Sequence, residues 1–394
     1  MLETDLIYWL WFVMIMGVAS SDAFSLVKKY QDIRKLYQLM LDPQCPFLSQ
    51  SHKKHISQNT LEKAEMILAG CQQKQISLMT CRSEYYQEKL KNIYAPPVLL
   101  FYQGNPAFLR NEKILTAVGT RRPSEYSIRT AQKLYSQLAE GGCTLVSGFA
   151  VGLDEEAHLA AIRNEKSTIA VLGCGLDCNY PKGSRPLKEK ILENGLILTE
   201  YFPGTPPYGR NFPVRNRILS GISDAVLVTE ASLRSGCMIT ANLACEQGKT
   251  VFCIPPADIF SSRYDGQAHL LRNGATPVFS ADDIFQEFEC HEIKPDFQQD
   301  IQEIPPEQNP VSVQNTEPLQ EQKKEKEISR SFLPEEQAIL AALAESEKNI
   351  NMLCCVTGMK FETVSMHLLE LEMMGCITSS SGDFYKLSEN YDKL

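Results

Sequence analysis

Glycines, hydroxyl residues and arginines recur in this 394-residue chain in patterns that could hold phosphates. Gly119-Thr120-Arg121-Arg122-Pro123, Ser147-Gly148-Phe149-Ala150-Val151-Gly152 and Arg234-Ser235-Gly236-Cys237-Met238-Ile239-Thr240 each join a glycine to an expected helix start. Glycine lets backbone approach a ligand closely, and the unpaired N–H groups of a helix start attract anions. Gly173-Cys174-Gly175 adds a further glycine turn. One such turn says little; several along one edge make a phosphate track. Phe212-Pro213-Val214-Arg215-Asn216-Arg217 contributes two guanidinium groups two positions apart. Two readings of them stay open: they hold phosphates, or they pair with the carboxylates of Glu200 and Glu230. Phe149 either stacks on a nucleobase, which suits single strands because every base has a π-face, or lies in the core.

Enzyme signatures fail when tested against their chemistry. The Gly173-Cys174-Gly175 turn lacks the third glycine of a dinucleotide fingerprint, because Cys178 occupies that place. Gly248-Lys249-Thr250 resembles the end of a P-loop, yet Leu243 stands at its first glycine and the lysine precedes a strand. Asp154 and His158 share a helix face at i, i+4, and Ser147 is the only tempting nucleophile nearby. Asp154 capping its helix and His158 filling a polar pocket is the plainer reading. Glu200 and Glu230 could form a metal-binding carboxylate pair or simply orient the arginines. The thirteen cysteines include no Cys-x-x-Cys pair, and Cys174 with Cys178 has no second pair to complete a zinc site. Free thiols in a reducing cytoplasm follow from that pattern. No catalytic group, metal or cofactor is expected.

The elements that must position these residues are short apolar strands alternating with amphipathic helices. The strands are read at Ile114–Val118, Thr144–Val146, Thr168–Leu172, Leu196–Thr199, Ala225–Thr229 and Thr250–Ile254. Continuous apolar runs of this kind are strands of a parallel sheet covered on both faces. In such a sheet, ligands bind beyond the carboxyl ends of the strands, where the glycine turns fall. The fold class is α/β, an extended Rossmann-like parallel sheet with an all-helical N-terminal domain and a small C-terminal winged-helix domain.

Four sections divide the chain. Residues 1–90 show helical periodicity without strands; the apolar run from Leu6 to Ala19 is shorter than a membrane span and reads as a buried helix. The acidic stretch before it, Met1 to Asp5, argues against a signal peptide. Residues 91–288 form the Rossmann-like domain. Residues 289–330, rich in Gln, Glu, Lys and Pro, read as a flexible linker. Residues 331–394 give helices from Pro334 to Ala344, Ile350 to Val356 and Phe361 to Met374, then a hairpin over Cys376–Leu387 turning at Ser381-Gly382-Asp383. The net charge of −9 comes from residues 287–394: of 48 acids and 39 bases, the first 286 residues hold 27 and 30. An acidic winged helix suits a protein contact better than duplex phosphates.

The runs GTRRPSEYS, SGFAVGLDEEAH, TIAVLGCGLDCNYP, FPVRNRILSGISDAVLVTEASLRSGCMITANLACEQGKTVF and LLRNGA, over about residues 94–280, resemble the DprA/Smf DNA-processing proteins. The segment YAPPVLLFYQGN looks like that family's entry to its sheet, and the N-terminal helices resemble sterile-alpha-motif or helix-hairpin-helix modules. The resemblance implies sequence-independent binding of single-stranded DNA, protection of incoming DNA in natural transformation, help in loading the recombinase RecA, and no established catalysis. It also implies a homodimer through the Rossmann-like domain, in the cytoplasm and away from membranes. The implied DNA-contacting positions are Gly119, Thr120 and Arg121, the Ser147, Gly148, Phe149 and Ala150 loop, Arg215, Asn216 and Arg217, and Ser235 with Gly236; Lys182 follows as a weaker candidate. Thr120 stands where the family usually has Ser, Pro255-Pro256 where it has Pro-Gly, and Gln267 where it has Asn. An alternative from the enzyme class is a Rossmann-like nucleotide or nucleoside-phosphate hydrolase. The stretch Ser235–Thr240 lacks the paired glycines and the following Glu that such enzymes use.

Overall fold

The computed structural model describes residues 3–292 and 333–359, and beyond these only residues 364, 367, 368, 371, 376–380 and 384–388. Two compact units divide the chain, residues 1–300 and 301–394.

The first unit begins with helices α1 (Glu3–Met16), α2 (Ser21–Lys29), α3 (Ile33–Met40), α4 (Gln50–Gln58) and α5 (Leu61–Gln73). The apolar run at the start of the chain is α1, with Trp9, Leu10, Trp11, Phe12, Val13 and Ile15 buried. Burial on all sides explains why this helix lacks an amphipathic pattern. No helix among the described residues is long and apolar enough to cross a membrane. The alternating section then runs β1 (Ser77–Thr80), α6 (Glu88–Lys91), β2 (Leu99–Gly104), β3 (Ile114–Val118), α7 (Glu125–Glu140), β4 (Thr144–Ser147), α8 (Leu153–Arg163) and β5 (Thr168–Val171). It continues through α9 (Arg185–Glu193), β6 (Gly195–Thr199), α10 (Asn211–Ile222), β7 (Ala225–Val228), α11 (Gly236–Glu246), β8 (Thr250–Cys253), α12 (Asp265–Arg272), β9 (Thr276–Pro277) and α13 (Ala281–Glu292).

Nine strands form one sheet in the order β1-β2-β6-β5-β4-β3-β7-β8-β9. Pairings from β6 through β9 are parallel, while β1–β2 and β2–β6 are antiparallel. All six strands read from the sequence are present. The absence of strands expected before residue 90 is corrected by β1, a four-residue edge strand too short to show a pattern. Both sheet faces are covered. One core joins α1–α5, α10 and α11 to the strands; the other holds α7, α8 and α13. The helices of residues 1–73 therefore share a core with the sheet.

Chain direction across the sheet reverses between β3 and β7: β4, β5 and β6 follow on one side, β8 and β9 on the other. A crevice opens at such a reversal because the connections leaving the two neighbouring strands part to opposite faces.

The second unit contains α14 (Pro334–Glu345) and α15 (Ile350–Thr357). Its three-stranded sheet has the order β10-β12-β11, from Lys348–Asn349, Phe384–Leu387 and Ile377–Ser380. The expected hairpin is β11–β12. β10, pairing with the other side of β12, was not foreseen. The hairpin turn, most of the third helix and linker residues 293–330 lie outside the described residues. Residues 289–292 are the last turn of α13 rather than linker.

Candidate nucleic-acid interface

A groove of about 350 Å3 occupies the crevice between β3 and β7. Its walls are the Gly119–Arg122 turn after β3, Ala150 and Asp154 after β4, the first two turns of α10, and the start of α11.

The β3 turn is held from below. The Thr120 N–H donates to the carbonyl of Glu230 (2.9 Å), and the Arg122 N–H donates to Thr120 Oγ1 (3.2 Å). Gly119 is required by packing, since a Cβ there would lie 2.3 Å from Leu153 Cδ1. Arg121 is exposed, with no carboxylate within ion-pair distance among the described residues; its guanidinium lies 5.6 Å from the Phe212 ring. A cation left unpaired on a groove wall is available to an anion.

α10 supplies the opposite wall. Arg215 is buried, donating through Nη1 to the carbonyls of Gly148 (2.7 Å) and Val171. Burial lowers its pKa to about 10, and neighbouring Asp154 opposes that shift. Asp154 in turn has its pKa raised by burial, against the Arg215 charge and the N–H groups of Ala150 and Gly148. It ties down the loop before α8 rather than capping that helix. Asn216 donates through Nδ2 to the carbonyl of Gly236 (3.2 Å), locking α10 to the start of α11.

At α11, Ser235 is the residue before the first turn, and its hydroxyl makes no capping bond. A Cβ built on Gly236 would meet nothing within 4 Å, so the amide end of this helix faces open space. That is where a phosphate fits. The Gly248-Lys249-Thr250 run has a structural role instead. Lys249 Nζ donates to the carbonyls of Ser220, Gly221 (2.9 Å) and Ser223 (2.7 Å), capping the far end of α10. Burial lowers the Lys249 pKa to about 7.

The groove thus gathers Gly119, Thr120, Arg121, Ala150, Arg215, Asn216, Ser235 and Gly236. It does not include the others. Ser147 is buried, its hydroxyl donating to the carbonyl of Ala117 (2.6 Å). Phe149 is 4% exposed, with its ring 5.9 Å from that of His158, so its side chain is core rather than a stacking surface. Gly148 lies beneath Arg215, where a Cβ would come 2.7 Å from Nη2. Lys182 is exposed after Tyr180-Pro181 but does not line the groove. Arg217 is the main correction: it is buried, with Nη2 on Glu200 Oε2 (2.6 Å) and Nε donating to the carbonyl of Ala95 (3.1 Å). Of the two pairings considered for the arginines, Arg217–Glu200 forms, while Glu230 pairs with Arg263 (2.9 Å).

His158 sits in the polar pocket expected for it, Nδ1 against Thr168 Oγ1 (2.8 Å). Burial, with help from the Arg215 charge, lowers its pKa to about 3, which keeps the ring neutral. The residue that sequence reasoning passed over is Phe212. Half-buried on the first turn of α10, it lies within 6 Å of Arg121, Arg215 and Tyr180. Its i, i+3 spacing from Arg215 would have placed it on the same face, had the segment been read as a helix.

Two family models match the chain: DNA recombination-mediator protein A over residues 77–289, and the DprA winged helix domain over residues 323–383. The chain belongs to the DprA/Smf family. Among relatives, DNA processing protein DprA of Streptococcus pneumoniae is 43% identical over 204 residues, covering 52% of this chain and 71% of the relative. Protein Smf of a Synechocystis strain is 34% identical over 331 residues, covering 80% and 81%. The X-ray structure of the pneumococcal DprA superposes with a TM-score of 0.64 at 33% identity, covering 72% of this chain and 98% of that one. Gln267 is buried, donating to the carbonyls of Thr229 (3.0 Å) and Ile254 (2.7 Å) and accepting from the Ala231 N–H, so it stitches the ends of β7 and β8 together.

Proposed function

We propose that this chain binds single-stranded DNA, without regard to sequence, in the groove at the β3–β7 reversal. The observation that carries the reading is the convergence of the unpaired Arg121 guanidinium, the open amide end of α11 and the half-buried Phe212 ring on one cavity. Arg121 and the Gly236 N–H, beside the Ser235 hydroxyl, hold successive phosphates. Phe212 offers a π-face to a base, which duplex DNA keeps stacked inside. Thr120, Arg215 and Asn216 set the walls; Arg217 serves the fold, tying the opposite face of α10 to Glu200 and Ala95. Lys182 lies beyond Tyr180 and would meet only a strand that leaves the groove on that side.

We assign the site no catalytic step. The Ser147 hydroxyl is committed to a carbonyl, and neutral His158 is turned to Thr168. Family membership and the family description as a recombination mediator support the wider role: protecting DNA taken up in natural transformation and helping to load RecA, as a homodimer through the Rossmann-like domain. The eleven cysteines whose side chains are described are free thiols, in keeping with a cytoplasmic site of action.

The test is paired binding of single- and double-stranded oligonucleotides of equal length across a salt range. Single strands are expected to bind more tightly, with log K falling linearly in log salt by about 0.7 for each phosphate held. Equal affinity for duplex, or binding that salt leaves unchanged, would refute the reading.

A further inference from the structure

A second cavity, of about 450 Å3, lies on the far side of the Thr120–Arg122 turn, bounded by Glu230, Ser232, Ser261, Ser262 and Arg263. Thr120 and Arg122 line both cavities, so one turn forms the ridge between them. We infer that this second cavity is a further DNA subsite, which takes a phosphate of the same strand as it crosses the ridge, with Phe260 stacking on the adjoining base. This inference rests on the single-stranded DNA reading of the groove.

Arg263 is fixed in place without being used up. Its Nη1 donates to Glu230 Oε1 (2.9 Å) and to the carbonyl of Arg122 (2.9 Å), yet the side chain remains 46% exposed. A guanidinium offers five donors in a rigid fork, so one edge held by the protein leaves the other for a phosphate. The Glu230 carboxyl is already engaged. Burial disfavours its charged form, but the N–H and hydroxyl of Ser124, with Arg263, outweigh this and hold its pKa below the usual value. The loop's own acid, Asp258, accepts the Phe260 N–H (2.9 Å). Arg122, exposed on the ridge, leaves the lining with one positive charge more than Arg263 and Glu230 cancel between them.

Phe260 directly precedes Ser261 and is 92% exposed, beside the exposed Ile259. A phenyl ring this bare, next to a cationic cavity, is the pairing that non-specific single-strand sites use: charge for the backbone and a π-surface for the base.

The experiment measures binding of oligothymidines from about 4 to about 16 nucleotides, the range of single-strand site sizes, to wild type, Phe260→Ala, Arg263→Gln and Arg121→Gln. Phe260→Ala removes a side chain from solvent and leaves the fold untouched, which covers the case in which Arg263→Gln destabilises Glu230. The inference expects Phe260→Ala to bind the shortest strands like wild type and the longest about tenfold more weakly, the scale of one stacked base. Arg263→Gln should lower the salt slope for long strands by about 0.7. Phe260→Ala matching wild type at every length, or losing equally at every length, overturns the second subsite. If Arg121→Gln binds like wild type, the groove itself is wrong, and the second subsite falls with it.

Discussion

Two residues along an α-helix correspond to a rotation of about 200°, so Arg215 and Arg217 leave α10 on opposite faces. Arg215 reaches the groove wall, while Arg217 reaches Glu200, which also accepts the Ala19 N–H (3.2 Å) from the N-terminal helices. Both side chains of that ion pair are 6% exposed. Removing one partner of a buried pair strands the other charge, at a cost of about 3–5 kcal/mol. Arg217→Ala should therefore unfold at markedly lower denaturant, while the protein that remains folded keeps its oligonucleotide affinity. A fully stable Arg217→Ala that loses affinity as Arg121→Gln does would return Arg217 to the DNA surface.

At the scale of elements, the glycines divide into those the fold needs and those a ligand needs. Gly152, before α8, has φ +88°, and a Cβ there would come 2.7 Å from the carbonyl oxygen of Thr120. Gly152→Ala should lose about 1–3 kcal/mol of stability and displace the Thr120–Arg121 turn, weakening binding as a consequence. Gly236→Ala meets no atom within 4 Å and should melt with wild type, yet bind oligonucleotides several-fold more weakly by crowding the phosphate. Thermal melts beside binding curves separate the two; a Gly236→Ala that binds normally would remove α11 from the site. The strands were legible because both-face burial writes continuous apolar runs, as in Leu115–Val118 and Val226–Val228. β1 was not, since four residues with only Met79 and Thr80 buried carry no period. The Phe212–Arg217 segment was read for its two arginines and not as a helix, although its Pro213 stands in the first turn of α10. Proline is tolerated there, where the first-turn N–H groups have no partner in the helix. That misreading put Arg217 on the rim and hid Phe212. Likewise, sequence spacing placed Ser147 and Phe149 at a strand end but could not say that both side chains turn inward.

For the molecule as a whole, charge and architecture point the same way. The acids in excess lie after residue 286, whereas the groove belongs to the first compact unit. Residues 1–292 should fold alone and keep most single-strand affinity; a large loss on removing the rest would move part of the site to the second unit. A mostly parallel sheet with one reversal offers a crevice for a ligand, and the exposed Arg121 and Arg122, in no ion pair among the described residues, stand at its rim. The most direct measurement is therefore the salt dependence of oligothymidine binding by Arg121→Gln/Arg122→Gln beside wild type. Two lost phosphate contacts at about 0.7 each predict a slope shallower by about 1.4, with weaker binding at low salt. A double variant whose slope and affinity match wild type would contradict the account.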